Sequence, residues 1–180
     1  MRINLMNKTI ILSENFPKNS FETADTLDRL HQSGNWKVRF SFEHFPLRKP
    51  VPPELYDREF TADIRTLDLF AAVFDGMDTE EYAIYCALLQ KKRALNFEDA
   101  AGMTFGWENV RTIPASCFSE LGEYVLEHNL LLEFEECPEE FRKYLDTAKI
   151  GRLMDERTGG IFIDSYYCDT SKYQKPEISV

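Results

Sequence analysis

The sequence predicts an α+β protein in three parts: a small mixed N-terminal domain over residues 1–60, a helical domain over 61–106 and an α+β C-terminal domain over 107–180. Three observations lead there. Residues 36–42 alternate apolar and polar side chains with a period of two, residues 64–89 repeat apolar side chains at three and four, and beyond residue 110 both patterns follow one another in short pieces. With 180 residues, 43% of them hydrophobic, the chain can bury one or two cores. It holds no internal repeat.

Taken in order, Lys8–Ser13 is a β-branched run that reads as a strand, and Asn15–Asn19 is a break containing Pro17. Ser20 can cap a helix carrying Phe21, Ala24, Leu27 and Leu30 until Ser33-Gly34-Asn35 stops it. Trp36, Val38, Phe40 and Phe42 then alternate with Lys37, Arg39, Ser41 and Glu43, a strand with one buried face. Pro46, Pro50, Pro52 and Pro53 force an extended connector. From Thr61 the pattern is helical through Ile64, Leu67, Phe70, Ala71 and Phe74, with Asp75-Gly76-Met77 as a turn. Asp78 opens a second helix through Leu89, and Lys91, Lys92 and Arg93 complement the negative end of its dipole. Asn96 caps a short helix over Phe97–Met103.

Val110–Ile113 is the next strand, and Ser116 or Ser119 starts a helix through Leu121, Tyr124, Val125 and His128. Pro138 leads a short helix whose Phe141, Tyr144 and Leu145 face inward, and Asp146 caps a further helix with Ile150 and Leu153 that ends before Gly159-Gly160. Ile161-Phe162-Ile163 and Tyr166-Tyr167 form a final strand, and the polar tail from Thr170 is expected to be loosely ordered.

The formal charge is −10, which disfavours nucleic acid and anionic membranes as direct partners and leaves a basic partner open. The acidity is concentrated: residues 1–60 carry nine basic against eight acidic side chains, 61–110 four against nine, and 111–180 eight against fourteen. Three clusters stand out. Glu54, Asp57, Glu59 and Asp63 form the first; Asp75, Asp78, Glu80 and Glu81 the second. Glu120, Glu123, Glu127, Glu133, Glu135, Glu136, Glu139 and Glu140 form the third, with no Lys or Arg between its ends, and Asp146 follows. First-turn positions and a solvated face explain part of this. The functional reading is that the carboxylates imitate phosphates, which a DNA duplex presents at one charge per roughly 1.7 Å of axis, and so engage a protein whose own site is a basic groove.

Catalysis finds little support. The chain has no Gly-rich phosphate loop, no Gly-x-Ser-x-Gly elbow, no His-Glu-x-x-His helix and no calcium loop framing Glu133, Glu135 and Glu136, so no enzyme centre, metal or cofactor is expected. Cys86, Cys117, Cys137 and Cys168 lie 31, 20 and 31 residues apart, without zinc spacing, and read as reduced thiols. No apolar run approaches the roughly 20 residues that cross a bilayer, and Met1–Ser13 lacks a secretory signal pattern, so a cytoplasmic location is expected.

Glu123-Tyr124, Leu130-Leu131-Leu132, the run Pro138-Glu139-Glu140-Phe141-Arg142-Lys143-Tyr144-Leu145-Asp146, Ile150-Gly151-Arg152 and Gly160-Ile161-Phe162-Ile163 occur in the order found in the ArdA antirestriction proteins, which this chain resembles most over residues 119–163. Phe42-Glu43-His44-Phe45-Pro46 is similar to another segment of that family. The resemblance implies an elongated, acidic, homodimeric α+β protein that mimics bent B-form DNA and occupies the DNA site of type I restriction-modification enzymes. The carboxylates named above would then be the mimic surface. Tyr124, Tyr144, Gly151 and Arg152 read as structural, with the aromatics in the core and Gly151 allowing close helix packing. Ile161, Phe162, Ile163, Tyr166 and Tyr167 are more apolar surface than one small sheet face requires and are the expected dimer interface.

Two other classes remain: an acidic interaction module of a mobile genetic element, and a small hydrolase with a desolvated carboxylate beside His44 or His128.

Overall fold

The computed structural model describes residues 2–4, 9–11, 36–43, 47–94 and 96–174, and the fold is α+β. The helix expected after Ser20, His31, His44, Pro46 and the last six residues lie outside the described residues. Contacts divide the chain into two compact units. The described residues up to Met77 join Lys92–Thr104 in one, and Asp78–Lys91 joins the described residues from Phe105 onward in the other. The helical residues 61–106, expected to stand alone, are therefore shared between the two.

The first unit is built on a four-stranded sheet in the order β1 (Arg2–Asn4), β2 (Thr9–Ile11), β3 (Lys37–Ser41), β4 (Glu59–Asp63). β2 and β3 run parallel, with Ile10 opposite Val38; the other pairs are antiparallel. The alternation that predicted β3 appears as burial: Trp36, Val38, Phe40 and Phe42 are inside, Lys37 and Arg39 outside. The short helix α1 (Pro53–Tyr56) starts at the last proline of the connector. β4 corrects the expectation of helix from Thr61. Phe60 and Ala62 alternate with exposed neighbours and pair with Phe40 and Val38, and the helix α2 (Ile64–Gly76) begins only after Asp63 caps it. The strand was hidden because its alternation rests on Phe60 and Ala62 alone, directly before the helical stripe that begins at Ile64.

α2 buries Ile64, Leu67, Phe70 and Phe74, and α4 (Phe97–Gly102), capped by Asn96 as expected, adds Phe97. Phe40, Phe42, Phe60, Phe70 and Phe97 form one aromatic core, with Phe97 within 5.2 Å of the Phe40 and Phe70 ring centres.

The second unit has a three-stranded antiparallel sheet, β5 (Arg111–Pro114), β7 (Tyr166–Asp169), β6 (Ile161–Ile163), flanked by α3 (Thr79–Lys92), α5 (Phe118–Glu127) and α7 (Thr147–Thr158), with the four-residue α6 (Glu139–Arg142) between the last two. Here the expected final strand is two strands. Asp164, at φ 49°, and Ser165 turn the chain into a tight hairpin. Alternation along that hairpin sends Phe162 and Tyr167 to one face, against Ile113, Leu121, Val125, Ile150 and Met154. Ile161, Ile163, Tyr166 and Cys168 go to the other, against Ala83 and Ala87 of α3. Both faces are therefore used within the unit, and Tyr167, fully buried, has nothing to offer a partner. This removes Tyr167 from the expected dimer interface and leaves Ile161, Phe162, Ile163 and Tyr166 as half-buried side chains.

α5 and α7 touch backbone to backbone at Gly122 and Gly151, as the reading of Gly151 anticipated. The N-cap of α5 is Cys117 rather than Ser116 or Ser119; Ser119 instead bonds Thr147 Oγ1 at 2.8 Å, joining the starts of the two helices. Pro138 is the N-cap of α6 rather than its first residue, and Phe141 and Tyr144 are exposed, 56% and 77%, where an inner face was expected. A helix of four residues cannot present a buried stripe. Thr170 and Tyr173 are buried, and the Tyr173 hydroxyl donates to the Phe105 carbonyl at 3.3 Å, so the start of the expected loose tail is packed. Among the described residues no helix is long and apolar enough to cross a membrane.

Candidate functional site

The carboxylates expected to form one functional surface fall into two groups once their contacts are traced. Nine do local structural work. Asp63 caps α2 by accepting from the Thr66 N–H at 2.8 Å, and Asp146 caps α7 by accepting from the Lys149 N–H at 3.2 Å. Asp78 and Glu81 form a reciprocal capping box at the start of α3, with bonds of 2.8 and 2.9 Å. Asp75 accepts from the Arg48 N–H at 2.8 Å, Glu59 pairs with Arg39, and Glu80 accepts from the Thr112 hydroxyl. Glu120 receives both the N–H and the hydroxyl of Ser116, at 2.7 and 2.8 Å. Glu133 pairs with both terminal nitrogens of the Arg157 guanidinium. The segment has no basic residue of its own, yet tertiary folding brings it one. Glu54 is half-buried in the first turn of α1, with one carboxylate oxygen enclosed.

The other group is exposed: Asp57 in the first unit, and Glu123, Glu127, Glu135, Glu136, Glu139 and Glu140 in the second. None of these seven has a hydrogen bond or ion pair among the described residues. Glu123, Glu127 and Glu139 converge on one open cleft of about 420 Å³ between α5 and α6, completed by Leu126, Arg142, Lys143 and Thr147.

Arg142, which sequence reasoning treated only as part of a motif, organises this surface. Its guanidinium donates to the carbonyls of Leu126 (2.7 Å), Cys137 (3.1 Å) and Phe134 (3.3 Å) and to Asn129 Oδ1 (2.7 Å). Leu126 O is one of the terminal carbonyls of α5 that has no partner within the helix, and a cation there also meets the negative end of the dipole. The planar fork ties α5, the turn Leu132–Phe134 and α6 into one scaffold. The Arg142→Ala variant is expected to lose about 2 kcal/mol of stability and to become cleavable by protease within residues 128–137. Arg142→Lys should restore only part of this, because an ammonium cannot span the same carbonyls. Matched urea curves and protease patterns for wild type and Arg142→Ala would refute the assignment.

Several structural carboxylates are stronger acids in the folded chain. For Asp63, burial pulls upward, but the Thr66 bonds outweigh it and hold the group below its usual range. Glu120 is lowered by Ser116, Glu133 by Arg157 and Asp146 by the Lys149 N–H. Groups with lowered native values stabilise the fold above the unfolded carboxylate pKa of about 4 and lose that contribution as pH falls through the native values. The urea midpoint should therefore hold from pH 7 to about 5 and fall below about 4. The double variant Asp63→Asn/Asp146→Asn should start lower and show a shallower acid loss; an identical pH profile would contradict these roles.

Burial pushes the Cys168 thiol up to about 12 and raises the Tyr85 and Tyr167 hydroxyls, so none of these is an activated nucleophile at neutral pH. His128 is exposed and stacked on Tyr124 at 3.8 Å, its Nδ1 3.0 Å from the Tyr124 carbonyl. Among the described residues no group of three His, Cys, Asp or Glu side chains gathers to hold a metal ion.

The fold and this surface define an α+β chain whose C-terminal unit presents an acidic face in which exposed glutamates outnumber the Arg142 and Lys143 side chains beside them. The chain matches no family model, no curated protein and no solved structure.

Proposed function

We propose that the acidic face of the C-terminal unit docks onto a basic protein surface, and that the chain is an antirestriction protein that acts in the cytoplasm by occupying the DNA groove of a type I restriction-modification enzyme. The observation that carries the reading is the set of six exposed carboxylates between Glu123 and Glu140 that are engaged in no cap or ion pair among the described residues. Like charges crowded on one scaffold work against folding, and a basic groove supplies the cations that offset them. The ArdA-like order of motifs over residues 119–163 supports the choice of groove. The reading narrows the mimic surface to the exposed set, since a carboxylate already engaged in a cap or an Arg pair is less free to meet a partner.

Phage plating in a restricting host, with and without the protein, tests it. Plating efficiency is expected to rise by about tenfold or more when the protein is present. Equal plating across several type I systems would defeat the antirestriction reading and leave a generic acidic module.

A further inference from the structure

The acidic stretch also exposes apolar side chains that phosphate imitation does not need. Leu132, Phe141 and Tyr144 are 81%, 56% and 77% exposed. Phe141 and Tyr144 share one turn, closed by the Tyr144 N–H donating to the Phe141 carbonyl at 3.0 Å. Leu132 opens the turn Leu132–Phe134, whose last carbonyl accepts from Arg142 of α6. One guanidinium thus holds both carriers of these side chains. In sequence they are interleaved with Glu135, Glu136, Glu139 and Glu140, all exposed, and the Lys143 ammonium lies 5.0 Å from the Tyr144 ring centre. Large apolar and aromatic groups inside a charged surround have the composition of a protein-binding centre with its rim.

We infer that this surface recognises a basic amphipathic protein segment, whose apolar face packs on Leu132, Phe141 and Tyr144 while its Lys and Arg side chains meet the flanking glutamates. The inference rests on the docking reading above and names the chemistry of its partner. Charge complementarity selects this occupant. A second copy would bring the same carboxylates against each other, and nucleic acid or an anionic lipid surface would be repelled. The contact resembles helix-in-groove recognition, in which apolar anchors at helical spacing supply affinity and charges select the partner.

The test uses the full chain and two synthetic peptides of equal length and charge. One carries Lys and Leu at amphipathic helical spacing; in the other each Leu is Gln. The Lys/Leu peptide is expected to bind about tenfold more tightly at physiological salt, with the difference lost in Leu132→Ser/Phe141→Ser/Tyr144→Ser. Changing Glu135, Glu136, Glu139 and Glu140 to Gln should weaken both peptides alike. The single variant Leu132→Ser, at the most exposed position, serves if the triple variant unfolds, and should lose part of the preference. Equal affinity for the two peptides overturns this inference and leaves the docking reading standing. No binding of either peptide at low salt overturns both. A preference that survives the serine variants overturns the assignment of the apolar contact to these residues. Self-association of the wild type that the serine variants abolish makes a second copy the occupant, and overturns it too.

Discussion

Replacing Gly151 with alanine is expected to cost the C-terminal unit about 3 kcal/mol or more. A Cβ at this position would stand 2.0 Å from the Phe118 carbonyl oxygen and 2.8 Å from its carbon. At Gly122 the corresponding atom would lie 1.8 Å from the Thr147 carbonyl oxygen. These are backbone atoms, which cannot rotate aside, so α5 and α7 must separate. Separation opens the core formed by Leu121, Val125, Ile150 and Met154 and forfeits contacts at the density that interiors require. Alanine's better helix propensity returns only about 1 kcal/mol. Gly76, at the end of α2, is the control: nothing lies within 4 Å of its added Cβ, so Gly76→Ala should be neutral or slightly stabilising. Urea unfolding followed by Trp107 fluorescence in a Trp36→Phe background reads the second unit. A midpoint for Gly151→Ala within about 0.3 M of its parent would mean that the helices are not locked at this contact.

Changing Glu123, Glu127, Glu135, Glu136, Glu139 and Glu140 to Gln together is expected to have the largest effect on binding. Side-chain size is kept, and none of the six is committed to a cap or ion pair, so the fold should be as stable as before or slightly more so. Affinity for a type I methyltransferase should fall by about a hundredfold at low salt, chiefly through slower association and lost charge complementarity, and the dependence of affinity on salt should become shallower. Glu133→Gln is the counterpart. It removes the Arg157 pair and should disturb the scaffold while leaving the salt slope nearly unchanged. Titrations at several salt concentrations separate these outcomes, and an unchanged slope in the six-fold variant would place the binding surface elsewhere.

Much of the local architecture was legible. The alternation of Trp36, Val38, Phe40 and Phe42 became the buried face of β3, and the caps at Asn96 and Asp146 stand where the helix patterns placed them. Both depend on neighbours within four residues, which is the range a periodic pattern describes. β4 is hidden in the sequence because two alternating apolar residues, Phe60 and Ala62, are too few to mark a strand directly before a helix cap. The hairpin of β6 and β7 was read as one strand because its turn uses Asp164 and Ser165, without the Asn-Gly or Asp-Gly signal.

The sequence by itself determined that this protein is α+β, that its net charge is −10, and that a 21-residue stretch of its C-terminal part holds eight glutamates without a basic residue. Only the tertiary structure decided which of those glutamates are free. Glu133 is neutralised by Arg157, 24 positions away, and the segment is shaped by Arg142, whose guanidinium reaches back 16 positions to Leu126. It decided as well that the apolar hairpin is consumed from both faces by α3 on one side and α5 and α7 on the other. The physical reason is common to all three. Charge and periodicity belong to the chain's local order, whereas pairing across such separations depends on how helices pack, as α5 and α7 do through their close approach at Gly122 and Gly151.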